Sequence, residues 1–141
     1  MHKIAIINGP NLNLTGQREP ELYGTKNFED LMKELSAMHP SIEFSYYQSN
    51  VEGELINELQ NKGFSSAGIV LNAGAYTHTS VAIADAIKAI KTPVIEVHMS
   101  NILSRESYRH QSLTGVNCVG SILGFGLNSY KLAVAHFAGS F

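Results

Sequence analysis

Five short runs rich in apolar and β-branched residues, at 4–8, 42–48, 67–71, 94–98 and 117–122, alternate with residues at helical spacing, which lie between the first four runs and after the fifth. This alternation constrains the chain more than any other feature. Most of the runs are too apolar for half-exposed strands, so they belong to a sheet covered on both faces. Between them, Phe28, Leu31, Met32, Leu35 and Met38 follow helical spacing behind an Asn27 cap. Leu55, Ile56 and Leu59 do the same behind Asn50, with Gly63 as a stop. Ile83, Ile87 and Ile90 mark a third helix, and residues around 130–137 a fourth.

Strand and helix in strict alternation predict an α/β fold, a doubly wound, five-stranded parallel sheet with helices on both faces. A flavodoxin-like strand order, 2-1-3-4-5, is the expected one. No repeat, low-complexity tract or linker interrupts the chain, so residues 1–141 fit one domain, large enough for a core without metal or disulfide staples. Ten basic against twelve acidic residues leave a formal charge of −2. That balance supplies no global positive field for nucleic acid or an anionic membrane, so any anion must be captured locally. Cys118 is alone and reads as a buried reduced thiol. No signal-peptide pattern precedes Ile4 and no apolar run approaches the roughly 18 residues of a membrane span, which predicts a soluble, cytoplasmic protein.

Open parallel sheets bind ligands beyond the carboxyl ends of their strands, and the arginines gather there. Arg18, Arg105 and Arg109 are the only three, and all sit in two loops that follow strands, 9–27 and 99–112, while the seven lysines scatter over helices and turns. Arginine forks carboxylates, so an anionic ligand is expected. The first loop is far longer than the usual connection of about 2 to 6 residues, and it carries Arg18 and Tyr23 as a plausible lid. On the fourth strand, period two puts Glu96 and His98 on one side. Glu96 can then hold one ring nitrogen of His98 and leave the other as a proton donor; a purely structural strand-end pair is the bland alternative. The third strand ends in Asn72, followed by His78 beside a helix start; both are contact candidates, whereas Thr79 and Ser80 read as caps. Were residues 100–110 helical, Arg105 and Arg109 would share a face. Asp85 falls on the exposed side of the third helix.

Familiar alternatives lack their parts. There is no Gly-x-Ser-x-Gly, His-Glu-x-x-His, Gly-x-x-x-x-Gly-Lys or Gly-x-Gly-x-x-Gly motif, and no lysine stands at a strand's carboxyl end for imine chemistry. A non-catalytic flavodoxin-like module binding a carboxylate metabolite remains open. Flavin is a weaker fit, since Pro10 removes a backbone donor from the first loop.

Taken together, Asn-Gly-Pro-Asn-Leu-Asn-Leu at 8–14, Gly-Gln-Arg-Glu-Pro at 16–20 with Tyr23-Gly24, Asn72-x-Gly-Ala-Tyr-Thr-His-Thr-Ser, and Glu-Val-His-Met-Ser-Asn at 96–101 resemble type II 3-dehydroquinate dehydratase. The segments at 48–55, 105–112 and 124–126 also look like family segments. The resemblance implies loss of water from 3-dehydroquinate by trans elimination through an enolate, without cofactor, metal or imine. It implies Tyr23 as the base, a phenolate favoured by Arg18 and Arg105. Lowering a tyrosine pKa from about 10 to 7 takes roughly 4 kcal/mol, which two guanidinium groups can supply in a water-poor site. It further implies Asn11 on a water or the enolate oxygen, and His98, oriented by Glu96, as the acid that protonates the departing hydroxyl. Asn72, His78, Ser100, the Ile102 backbone and Arg109 would fix carboxylate and hydroxyls. Asp85 would reach a neighbouring subunit's site, which implies trimers, assembled in this family into a dodecamer. Thr15, Ala84 and Tyr108 depart from the family pattern, each at a position with no role in that chemistry.

Overall fold

In the computed structural model, which describes residues 2–17 and 26–139, β1 (His2–Asn8) is the hub of the sheet. It pairs in parallel with β2 (Ile42–Gln48) on one side and β3 (Gly68–Asn72) on the other. Beyond β3 lie β4 (Val94–His98) and β5 (Gly120–Leu123), giving the parallel order β2-β1-β3-β4-β5. This is the expected order.

Strand periodicity splits the hydrophobic core in two. Ile4, Ile6, Val70, Ile95 and Val97 face one way, onto α1 (Phe28–Met38) and α4 (Asn128–Ala138). Ala5, Ile7, Ile69, Leu71 and Val94 face the other, onto α2 (Glu52–Lys62) and α3 (Val81–Ala89). Helical spacing delivers Leu31, Leu35, Leu55, Leu59 and Ile83 to these layers with no exposed surface. Each contributes about 1.5–3 kcal/mol of burial. Asn27 caps α1 through a reciprocal capping box with Asp30, and Ser80 caps α3 by accepting from the Ile83 amide.

Four local readings change. The third strand lies one residue further on than expected. The fifth starts at Gly120 because Gly115–Asn117 form a 3₁₀ turn, held where Asn117 Nδ2 donates to the Ala84 carbonyl at 2.8 Å. Val51, not Asn50, occupies the cap position of α2, since Asn50 turns towards the loop after β1. The arginine loop is two 3₁₀ turns, Ile102–Ser104 and Ser107–Arg109, not one helix. Cys118 is half-buried, and burial pushes its thiol up to about 12. Among the described residues no helix is long and apolar enough to cross a membrane.

At the carboxyl ends the sheet is tightly closed. Gly9 donates its amide to the Asn72 carbonyl at 2.7 Å, and a Cβ on Gly9 would lie 2.6 Å from the Ala73 carbonyl oxygen. Only glycine lets β1 hand over to its loop so close to β3.

Candidate active site

Period two puts Val94, Glu96 and His98 on one face of β4, and the last two form the centre of the site. His98 Nε2 and Glu96 Oε1 lie 2.7 Å apart, with the residues 5% and 2% exposed. Three hydroxyls also donate to the carboxylate. Ser112 Oγ reaches Oε1 at 2.7 Å, Thr114 Oγ1 reaches it at 3.5 Å, and Ser121 Oγ reaches Oε2 at 2.9 Å. Burial alone would push the Glu96 carboxyl up, but the bonds from His98, Ser112 and Ser121 outweigh it and hold Glu96 below its ordinary value. A buried carboxylate with this many donors is an ionised anchor, and it fixes the ring by Nε2. Nδ1 is then the nitrogen left to serve the cavity.

That cavity, about 200 Å³, opens over the carboxyl ends of β1, β3 and β4. Asn11, Asn72, His78, His98, Ser100, Ile102, Arg105 and Arg109 all line it, with Thr15 beside them. The His78 and His98 rings stack at 6.3 Å, and His78 Nδ1 is held by the Gln111 carbonyl at 2.8 Å. Arg109 is braced by Glu106 at 2.6 Å and lies over the Tyr108 ring. Arg105 donates to Ser100 Oγ at 3.4 Å, a long bond that leaves its fork free for an anion.

Beneath the cavity floor runs a buried polar relay. The Tyr130 hydroxyl, fully buried on α4, donates to Asn8 Oδ1 at 2.8 Å and accepts from Asn72 Nδ2 at 2.9 Å. Asn8 Nδ2 continues the relay to the Tyr46 hydroxyl at 3.3 Å, and Asn72 Oδ1 accepts from the Gly74 amide at 3.1 Å. Asn72 is thus oriented from below before any ligand arrives.

The model of the family described as "Dehydroquinase class II" matches residues 2–138. A 3-dehydroquinate dehydratase from an Exiguobacterium species is 52% identical over 133 residues, covering 94% of this chain and 91% of that protein. The type II dehydroquinase of Butyrivibrio crossotus superposes with a TM-score of 0.89 at 44% identity, covering 97% of each chain. That of Propionibacterium acnes gives 0.88 at 34%, covering 99% of this chain and 97% of the other. The chain belongs to the class II dehydroquinase family.

Of the twelve residues singled out in this class II dehydroquinase sequence, eight line the cavity and Glu96 stands directly behind it. Asp85 does not line it; it is exposed on the outer face of α3. Arg18 and Tyr23 lie outside the described residues. Thr15, one of the departures from the family pattern, also lines the cavity. Sequence reasoning missed Ser112, Thr114 and Ser121 on Glu96, and Asn8 and Tyr130 under Asn72. Ser121 was within reach, since it stands opposite Glu96 in the β4–β5 register. Among the described residues no group of three or more His, Cys, Asp or Glu side chains is placed to hold a metal ion.

Proposed function

We propose that this chain dehydrates 3-dehydroquinate to 3-dehydroshikimate, a hydro-lyase step of the shikimate pathway, by trans elimination through an enolate. The observation that carries the mechanism is the buried Glu96–His98 pair opening on a cavity lined by two arginines and two asparagines. Tyr23 removes the proton at C2, with Arg18 and Arg105 favouring its phenolate. Asn11 holds a water or the enolate oxygen. His98 then gives a proton to the C1 hydroxyl as the C–O bond breaks, and water departs. Glu96 keeps the imidazole oriented. Arg109, His78, Asn72, Ser100 and the Ile102 backbone fix the carboxylate and ring hydroxyls. A pure binding module has no use for a buried, ionised acid behind a histidine, and that alternative is not favoured.

The working unit in this reading is a trimer in which Asp85 reaches a neighbour's site, with trimers building a dodecamer in the cytoplasm. Asp85 lies on a face shared with exposed Val81, and the adjoining turn exposes Val116. Such apolar exposure suits a covered surface.

The deciding experiment adds 3-dehydroquinate to the purified protein with a chelator, before and after borohydride treatment, and follows the ultraviolet absorbance of the conjugated enone. A rise in both samples is expected. No rise from folded, oligomeric protein would refute the reading. Tyr23→Phe should abolish turnover, and Arg18→Ala should lower kcat far more than substrate affinity.

A further inference from the structure

Asn11 has a backbone conformation that needs an explanation. Its φ is 70° and its ψ −6°, and it is the only non-glycine residue at positive φ among the described residues. Asparagine tolerates this left-handed region better than most residues, yet something must hold it there. The 3₁₀ turn it begins, Leu12–Leu14, takes no bond from its side chain. Asn11 itself lines the cavity.

The holding groups come from the end of β2 and the segment just after it. The Asn11 backbone N–H donates to Asn50 Oδ1 at 3.0 Å. Gln48, the last residue of β2 and the partner of Asn8 in register, donates from Nε2 to the Gly9 carbonyl and to Asn50 Oδ1, each at 3.1 Å. It also approaches Asn13 Oδ1 at 3.4 Å. The Asn50 carbonyl is in turn fixed by the Tyr76 hydroxyl at 2.8 Å. One side-chain amide therefore touches the loop on both sides of Asn11, and a second closes on Asn11 itself. Neither Gln48 nor Asn50 lines the cavity.

We infer that Gln48 and Asn50 are positioning residues for the elimination: they lock Asn11 in its left-handed conformation so that its side-chain amide meets the developing enolate oxygen or the water beside it. The inference rests on the reading of Asn11 given above. A role of this kind belongs to the transition state more than to the bound substrate, so its loss appears in kcat and not in KM.

The test is a double-mutant cycle in steady-state kinetics, with circular dichroism and thermal midpoints as controls of folding. Asn50→Ala should lower kcat about ten-fold or more with KM changed less than about three-fold. Asn50→Asp, which keeps an oxygen acceptor for the Asn11 amide, should recover kcat to within about three-fold of wild type. Asn11→Ala should lower kcat by itself, and adding Asn50→Ala to it should cost less than about a further two-fold, because both act through one group. Gln48→Leu, of similar size but without the donors, should lower kcat in the same KM-neutral way, and it serves if Asn50→Ala fails to fold. Multiplying losses in the double variant, or impaired Asn11→Ala with unimpaired Asn50→Ala and Gln48→Leu, would overturn the inference and leave Asn11 in its role. Wild-type kcat in Asn11→Ala would remove the role of Asn11 itself, and the inference with it.

Discussion

Tyr130→Phe removes a single oxygen from a side chain with no exposed surface, and the consequences can be worked from the two groups it abandons. Asn8 Oδ1 loses its donor at 2.8 Å, and Asn72 Nδ2 loses its acceptor at 2.9 Å. Both asparagines are buried, at 0% and 4% exposure, so water does not replace the lost partner. Stranding two buried polar groups at about 1–2 kcal/mol each predicts a destabilisation of about 2–4 kcal/mol. For a chain of this size that corresponds to a drop of roughly 10 °C in thermal midpoint. Burial also pushes the Tyr130 phenol far above its ordinary value, against the bonds from Asn72 and Asn8. A folded-state value raised in this way contributes in full below the unfolded value of about 10 and is lost as pH rises beyond it. The deficit of the variant should therefore be constant from about pH 6 to 9 and narrow above about pH 10, where the wild type alone loses the Tyr130 contribution. Thermal scans at matched protein concentration across that range are the assay. A variant within about 0.5 kcal/mol of wild type at neutral pH would refute the relay as a buried, closed set of bonds.

Two further perturbations test the other side of the site. Gly115→Ala places a Cβ 2.4 Å from Glu96 Oε2 and 2.9 Å from Ser112 Oγ, so the carboxylate must move and His98 with it; kcat should fall at least about ten-fold, measured by enone absorbance. The Cys118 thiol, pushed up to about 12, should label with a maleimide at pH 8 at least about a hundred-fold more slowly in the native protein than in urea.

The fold was legible because both periodicities are clean. Alternating apolar runs and helical stripes predicted the strand order, and period two alone set Glu96 beside His98. Strand ends then located the cavity, since loops following parallel strands converge there. The rest was hidden by distance along the chain. Tyr130 reads as a core aromatic from its helix, and nothing local shows that its hydroxyl meets Asn8, 122 positions away. Ser112 and Ser121 look like ordinary loop and strand serines until the β4–β5 register brings Ser121 opposite Glu96. Asn50 looked like a helix cap because its type and place suit one, yet the site claims its oxygen and Val51 takes the cap position. A left-handed asparagine such as Asn11 leaves no trace in composition.

The sheet order also governs when this site can come into being. β1 is the first of the five strands along the chain but lies between β2 and β3, and the floor of the cavity closes only when α4, the last helix of the described chain, brings Tyr130 back to Asn8. Parallel pairings of this kind are non-local and slow to form, because loop closure must precede the contacts that reward it. The finished pocket therefore draws on segments spread from Asn8 to Tyr130, so during refolding the return of activity must trail the return of helical signal.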